Sequence, residues 1–191
     1  MARGKEREEA ILSAAIQVLE ERGYEGMTLD EVAARAHASK ATLYRRWRNK
    51  AELVKAALDS LDAEHNAAIP DTGELRSDLI AVMHSLRAKA TQPYIAMIND
   101  LITASRRAPV LAKLLEEHVK DDELSPFHEV LHRAVKRGVL PREVDTELVH
   151  DVAEALVLRQ MHIGAPFNAR FIHRVVDGAL LPLLGHSKRG K

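Results

Sequence analysis

The fold of this chain is decided by two short stretches, TLDEVA at residues 28–33 and SKATLYRRW at residues 39–47. Thr28 and Glu31 have the spacing of a capping box, in which the threonine accepts a hydrogen bond from the Glu31 amide and the glutamate reaches back. Ser39 is a candidate N-cap for a second short helix. The pattern predicts helices over 28–36 and 39–47 with a tight turn at residues 37 and 38. This layout is typical of a helix-turn-helix, whose second helix enters the major groove of DNA.

The charge around these stretches favours a nucleic-acid partner. The chain has 191 residues and a formal net charge of zero, yet Val32 to Ala51 contains no acid and carries a charge of +6. A concentrated basic patch is the signature of a DNA-binding face, and the total charge of the chain does not reveal it. The six cations are Arg35, Lys40, Arg45, Arg46, Arg48 and Lys50.

The second short helix has two distinct faces. Leu43 and Trp47 are four residues apart and are expected to pack inward. The opposite face then presents donors for base edges or phosphates, and Lys50 lies beside the start of the next helix, where amides and the helix dipole attract anions. The donors on this face are Lys40, Thr42, Tyr44, Arg45 and Arg46.

The rest of the chain reads as helix throughout, since no alternating strand pattern persists. A first helix over 5–22 stops at Gly23, and Asn49 with Glu52 resembles a third capping box that opens a longer helix. The turn at 66–73 predicts a domain border. We therefore predict an all-α chain of about nine helices: a three-helix DNA-binding domain at 1–65, whose fourth helix runs into the next domain, and a helical bundle at 66–191. Later helices are predicted at 74–90, 93–106, 108–120, 126–137, 144–162 and 166–184, before a basic, disordered tail at 186–191.

Residues 5–55 closely resemble the DNA-binding signature of the TetR family, through Gly23-Tyr24, the two stretches above and the Asn49-Lys50 pair. The resemblance implies a repressor that binds a double-stranded operator as a homodimer and responds to a small effector. It implies that Lys40, Ala41, Thr42 and Arg45 read bases or nearby backbone. It implies phosphate contacts for Thr28, Tyr44, Arg46 and Lys50, and a cap on the recognition helix at Ser39.

Two positions depart from the family pattern. His37 stands where the family usually has glycine in the turn, and histidine tolerates left-handed backbone angles better than most residues. Arg46 stands where the family usually has an imidazole or a similar group, and arginine can contact a phosphate equally well.

The C-terminal part resembles the family less closely. In the family the last two helices pair with those of a second subunit, and here they are apolar on several sides, although a core within one chain would use the same residues. The predicted dimer interface consists of Leu148, Val152, Leu156, Phe171, Val175, Ala179 and Leu183. A mainly hydrophobic effector is expected against Met83, Leu86, Tyr94, Met97, Leu101, Leu114 and Phe127, each of which could equally be plain core.

A zinc hydrolase is the alternative from another class, since His128, Glu129 and His132 match the HExxH pattern. Pro126 places the motif in the first turn of its helix and no third ligand is evident, so we predict neither a catalytic site nor a bound metal or cofactor. His118, His150, His162 and His173 are scattered and show no convergence on a metal-sensing site. A non-specific architectural DNA-binding protein is the other alternative that fits the basic patch.

The compartment follows from composition. The chain has no cysteine, which fits a reducing environment, and its charged N-terminus lacks the apolar core of a signal peptide. No apolar run approaches the roughly 20 residues that span a bilayer. We expect a soluble, cytoplasmic protein with no membrane partner.

Overall fold

The computed structural model describes residues 2–66, 71–119 and 126–185, and within these ranges the ordered elements are all helical. The prediction of an all-α chain is confirmed, with ten helices over the described residues where about nine were expected. The basic tail at 186–191 and part of the predicted turn at 66–73 lie outside them. The helices are α1 (Ala2–Gly26), α2 (Leu29–Arg35), α3 (Lys40–Arg46), α4 (Lys50–Asn66), α5 (Leu75–Lys89), α6 (Gln92–Ser105), α7 (Pro109–Val119), α8 (Pro126–Lys136), α9 (Thr146–His162) and α10, which runs from Ala169–Val175 through a π-helical turn at Val176–Leu180 to Leu181–Leu183.

The helix α1 is interrupted where the sequence predicts its end. Gly23 has φ 66° and ψ 175°, a combination outside the helical region, and a short helical segment resumes as far as Gly26. This backbone conformation is essentially restricted to glycine, because a Cβ would clash with the neighbouring peptide groups. The chain therefore turns at Gly23 and leads into α2.

The three predicted N-caps form through their side-chain oxygens. Each oxygen accepts a backbone amide that would otherwise lack a partner in the first turn of the helix. The bonds run from Glu31 N to Thr28 Oγ1 (3.2 Å), from Thr42 N to Ser39 Oγ (3.2 Å) and from Glu52 N to Asn49 Oδ1 (2.9 Å).

The reciprocal half of the first capping box is engaged elsewhere. The carboxylate of Glu31 lies 3.3 Å from Arg22 Nε and 3.9 Å from Arg35 Nη2. These guanidinium groups offer the carboxylate a stronger, charge-assisted partner than a neutral backbone amide. The predicted box therefore forms only through its threonine.

The turn between α2 and α3 depends on a left-handed residue. His37 has φ 48°, and it is the single non-glycine residue with positive φ in the described part of the chain. The Ala38 amide donates to Ala33 O at 2.9 Å and the His37 amide donates to Ala34 O at 3.2 Å. These two bonds form a Schellman motif, which needs a left-handed residue at the position of His37. The expectation that histidine would adopt this conformation is confirmed.

The chain packs as two compact units, Met1–Glu64 with Gln92–Leu124, and His65–Thr91 with Ser125–Lys191. One boundary between these units falls between Glu64 and His65, close to the predicted domain border. The packing, however, groups α6 and α7 with the N-terminal helices, because Met97 and Leu101 of α6 are buried in the same core as Ile11 and Leu43. The assignment of DNA binding to residues 1–65, and of effector binding and dimerisation to residues 66–191, stays a prediction.

The second unit has its own core, and its helix α10 contains a π-helical turn. The Leu181 amide donates to Val176 O, five residues back, just before Pro182, which has no amide to donate. Within this turn Asp177 accepts two bonds from Arg76 of α5, from Nε at 2.7 Å and from Nη2 at 3.0 Å. The core itself is built from residues such as Leu79, Met83, Leu131, Ile172 and Leu180.

The left-handed turn predicts how substitutions at His37 change stability. His37→Gly should raise the free energy of unfolding by about 0.5–1 kcal/mol, because relief of backbone strain exceeds the entropy cost of glycine. His37→Val should lower it by about 1 kcal/mol, because a β-branched residue resists positive φ. Urea unfolding of the full chain measures both changes.

A matched control adds a glycine nearby without relieving strain. Ala34 is an exposed residue within α2, and Ala34→Gly should lower the free energy of unfolding by about 1 kcal/mol. If His37→Gly destabilised the protein as Ala34→Gly does, the account of the turn would be wrong.

Candidate DNA-binding surface

The two faces of α3 differ in burial as the sequence predicts. Leu43 and Trp47 are buried in the core of the first unit. On the other face Lys40, Tyr44 and Arg45 are exposed. These side chains are therefore accessible to a duplex.

The remaining predicted contact residues lie around the same helix. Thr28, Ser39, Ala41 and Arg46 are exposed, and Thr42 is half-buried. The Ser39 and Thr42 hydroxyls are 2.8 Å apart, so the cap also fixes the orientation of Thr42. The structure thus gathers the predicted α2 and α3 residues around one helix-turn-helix.

Several of the predicted cations already have carboxylate partners. Lys40 Nζ lies 2.5 Å from Asp30 Oδ2 of α2, and this hydrogen bond raises the pKa of Lys40. Arg46 Nη1 lies 2.5 Å from Glu8 Oε2 of α1. These acids lie outside the acid-free window of the sequence, but folding brings them beside it. The basic surface is therefore more nearly neutral than its +6 window predicts.

Lys50 has a different environment from the one predicted. Its ammonium group donates to the backbone carbonyl of Tyr24 at 2.5 Å and lies 4.2 Å from the centre of the Tyr24 ring. A cation above an aromatic face gains electrostatic energy from the ring. The Lys50 side chain therefore holds the turn between α1 and α2, instead of extending toward solvent at the start of α4.

The other side of the Tyr24 residue is held by Asp100 of α6. The Tyr24 amide donates to Asp100 Oδ2 at 2.6 Å. A Cβ added at Gly23 would lie 3.0 Å from both carboxylate oxygens of Asp100, so this carboxylate packs directly against the glycine. Sequence reasoning missed Asp100, since no local pattern links it to a turn 76 residues away.

A second link joins α4 to α7 within the same unit. His118 Nδ1 lies 2.6 Å from Asp59 Oδ1, and His118 Nε2 lies 3.4 Å from Asp62 Oδ2. Burial alone would raise the pKa of Asp59, but the hydrogen bonds from His118 and Lys55 outweigh burial and lower it. This histidine, which the sequence left without a role, thus bridges two helices.

The predicted effector residues are divided between the two units. Met83, Leu86 and Phe127 lie in the second unit, whereas Tyr94, Met97, Leu101 and Leu114 lie in the first. Met97 and Leu101 are buried in the core shared with the DNA-binding helices, and Tyr94 and Leu114 pack against that core. The structure therefore does not collect this set within one unit.

The predicted dimer residues fall into two groups. Phe171 and Val175 are buried inside the second unit, so they offer little surface to another chain. Leu148 and Leu183 are 47% and 46% exposed, and the other three are partly exposed. Those three are Val152, Leu156 and Ala179.

The HExxH residues of α8 have environments unlike those of a zinc site. His128 is buried, with its ring centre 4.6 Å from that of His150 in an edge-on arrangement. Glu129 is exposed and pairs with Arg133 at 3.6 Å. Among the described residues no group of three or more His, Asp or Glu side chains could hold a metal ion.

Comparison with known proteins decides what this helix-turn-helix belongs to. Residues 11–57 match the family described as "Bacterial regulatory proteins, tetR family", and residues 69–179 match "Tetracyclin repressor-like, C-terminal domain". The chain belongs to the TetR family. The C-terminal match also gives the weaker C-terminal resemblance a firm basis.

Relatives of similar length support this assignment to the TetR family. A DNA-binding transcriptional repressor TetR of Mycobacteroides abscessus is 48% identical over 184 residues, which are 96% of this chain and 97% of the relative. An HTH-type transcriptional regulator of Mycobacterium tuberculosis is 32% identical over 183 residues, covering 95% and 89% of the two chains. This chain is accordingly a DNA-binding transcriptional regulator of the TetR family, and the zinc-hydrolase alternative is set aside.

Solved structures show the same fold. The crystal structure of a TetR family transcription regulator matches with a TM-score of 0.72 and 26% identity, covering 92% of this chain and 95% of that one. A TetR-family regulator from Rhodococcus sp. matches with a TM-score of 0.70 and 20% identity, covering 94% and 99%. None of the described helices combines the length and the hydropathy that crossing a bilayer requires.

The contact between Gly23 and Asp100 predicts a large cost for a methyl group at residue 23. Gly23→Ala should lower the free energy of unfolding by about 2–3 kcal/mol, because the backbone conformation is strained for alanine and the methyl group meets the carboxylate. Thermal and urea unfolding of the full chain measure the loss.

The matched control is Gly73→Ala. Gly73 also has positive φ, at 81°, but an added Cβ would have no neighbour within 4 Å. This variant carries backbone strain without the clash, so its loss should be smaller. Equal losses in the two variants would show that Asp100 does not constrain the turn.

Proposed function

We propose that this regulator is a repressor, which binds a palindromic operator as a homodimer and releases it when a small, mainly hydrophobic effector binds. The observation that carries the proposal is the exposed polar face of α3 opposite the buried Leu43 and Trp47. Such a helix fits the major groove, and the N-terminal residues of a recognition helix lie nearest the base edges. As a regulator of bacterial genes, the protein would act in the cytoplasm, where the chromosome lies.

The contact residues divide by chemistry into base readers and phosphate contacts. Arg45 is an exposed guanidinium suited to the paired acceptors of guanine, and Lys40, Ala41 and Thr42 lie nearer the start of α3. Thr28, Tyr44 and Arg46 lie where they can hold phosphates, which fixes the position of the helix without reading sequence. We assign Lys50 an indirect role in this surface, because its ammonium group holds the turn at Tyr24 that leads into α2.

The homodimer is supported by apolar surface on the last two helices. Leu148 of α9 and Leu183 of α10 are both nearly half exposed in the single chain. Covering such side chains with a second copy would remove apolar area from water. In such a dimer the two recognition helices would enter successive major grooves, which are about 34–36 Å apart.

The effector proposal rests on family membership and on the apolar residues of the second unit. Met83 and Phe127 are buried there, and Leu86 is partly buried. An effector lowers operator occupancy only if it binds the non-binding conformation more tightly than the DNA-binding one. We propose this second unit as the place where that difference in affinity arises.

A selection experiment tests the operator proposal. The full-length protein is incubated with a pool of random-sequence duplexes, and the retained DNA is sequenced over several rounds. We expect a palindrome whose half-sites are about 10 base pairs apart, or a multiple of that spacing. Recovery of unrelated sequences without a repeated half-site would favour the architectural DNA-binding alternative.

The division between base readers and phosphate contacts predicts different effects for two arginines. Arg45→Ala should cost about 1–3 kcal/mol on the selected operator and relax base preference at one position. Arg48, whose side chain is 91% exposed, is the matched control beyond the end of α3. Arg48→Ala should weaken operator and scrambled duplex by the same factor. Fluorescence anisotropy measures both, and equal losses from Arg45→Ala on the two duplexes would contradict its assignment.

The exposed apolar residues predict which substitution separates the dimer. Leu183→Glu should raise the dimer dissociation constant at least about tenfold, because it places a charge in the proposed interface. Ile102→Glu is the control, since Ile102 is also an exposed apolar residue, 39% exposed, but lies on α6. Sedimentation velocity measures association. A Leu183→Glu protein as dimeric as the Ile102→Glu protein would place the interface elsewhere.

A further inference from the structure

Two cations on the recognition helix are paired with carboxylates from different helices. Lys40, the first residue of α3, pairs with Asp30 in the first turn of α2. Arg46, the last residue of α3, pairs with Glu8 of α1. Both pairs are exposed, so water and salt screen them and they contribute little to folding. Their arrangement at the two ends of α3 points instead to a role in how the helix meets DNA.

The ends of a recognition helix meet different parts of a duplex. In a helix-turn-helix the N-terminal residues of the second helix contact base edges, and Arg and Lys side chains also contact the phosphate backbone. Lys40 at the N-terminal end is therefore placed for a base, whereas Arg46 at the other end is the residue that the proposed function assigns to a phosphate. The two carboxylates then act on two different kinds of contact.

We propose that Asp30 is a specificity-determining residue, which keeps the Lys40 ammonium away from phosphates so that Lys40 engages DNA chiefly at a base edge. This inference rests on the proposed operator-binding function. An ammonium group has three donors, and Asp30 uses one of them, which leaves two for the acceptors of a guanine. The pair can thus persist while Lys40 reads a base.

On non-operator DNA the same pair limits affinity. Without the correct base, Lys40 would gain from DNA only by moving to a phosphate and releasing a counterion. That move would leave the Asp30 carboxylate unpaired beside a polyanion, which is unfavourable by like-charge repulsion. Asp30 therefore lowers affinity for random duplex more than affinity for the operator.

Glu8 is expected to act differently, although its chemistry is similar. Arg46 meets a phosphate in both kinds of complex, so Glu8 competes equally with operator and with random DNA. Its removal should raise both affinities by a similar factor and leave their ratio unchanged. The comparison between these two acids therefore separates a specificity role from a general effect of charge.

The test measures dissociation constants of full-length variants for the selected operator and for a scrambled duplex, over a series of salt concentrations. Asp30→Asn should raise affinity for the scrambled duplex by roughly fivefold to tenfold and steepen its salt slope by about 0.9, the effect of one added phosphate contact. Operator affinity should change by less than about twofold. Glu8→Gln should raise both affinities alike.

Two further variants complete the design. Glu117→Gln is a remote control, since Glu117 pairs with the exposed Lys113 at 3.6 Å on α7 and its loss changes the net charge equally. In a Lys40→Ala background, Asp30→Asn should no longer increase binding to the scrambled duplex. Circular dichroism of each variant checks that the fold is intact.

The outcomes distinguish the two levels of the proposal. A wild-type protein that shows no operator preference would overturn both the proposed function and the role of Asp30. With that preference present, an Asp30→Asn variant that raises both affinities equally, or whose effect survives Lys40→Ala, would overturn the role of Asp30 alone.

Discussion

The residue that the DNA-binding end depends on most is Tyr24, whose backbone is held from both sides. Its amide donates to Asp100 of α6 and its carbonyl accepts from Lys50 of α4. Gly23, just before it, takes a conformation that other residues avoid and lies against the same Asp100 carboxylate. The helices α1, α4 and α6, which are distant in sequence, thus meet at one residue, and the entry into α2 is set there.

This arrangement gives α6 a mechanical connection to the DNA-binding helices. The helix contributes Met97 and Leu101 to their core and Asp100 to their turn. The hydrogen bond to Asp100 is partly buried and charge-assisted, and such a bond weakens when its partners are displaced. Any movement of α6 would therefore change the position of the turn, and with it the placement of α2 and α3.

Charge on the DNA-binding surface is more balanced than the sequence indicates. The window from Val32 to Ala51 contains no acid in the sequence. Folding nevertheless places four carboxylates beside its cations, those of Glu8, Glu21, Asp30 and Glu52. When the protein binds DNA, these cations must exchange carboxylate partners of the protein for phosphates of the duplex. Such exchange makes affinity depend on salt and on geometry, which favours selectivity over strong general attraction.

Local features of this fold could be predicted from the sequence, because their causes are local. The caps at Thr28 and Ser39, the left-handed His37 and the inward pair of Leu43 and Trp47 depend on residues within a few positions. Contacts between distant segments were not predictable, since no spacing rule reports which helices pack together.

Three sets of residues illustrate contacts that the sequence alone did not predict. The role of Asp100 and the partner of Lys50 could not be predicted, because both depend on how α6 and α4 meet α1 at Tyr24. The predicted effector set mixed residues of two units, because apolar periodicity identifies a buried face without saying which core it joins. Phe171 and Val175 likewise have the apolar character of interface residues but fill the core of their own chain.

The central claim is that this surface reads sequence. The most direct measurement compares the dissociation constants of the full-length protein for its selected operator and for a scrambled duplex of equal length, at near-physiological salt. The account predicts tighter binding to the operator by at least about 10³-fold. Equal affinity for the two duplexes would contradict it.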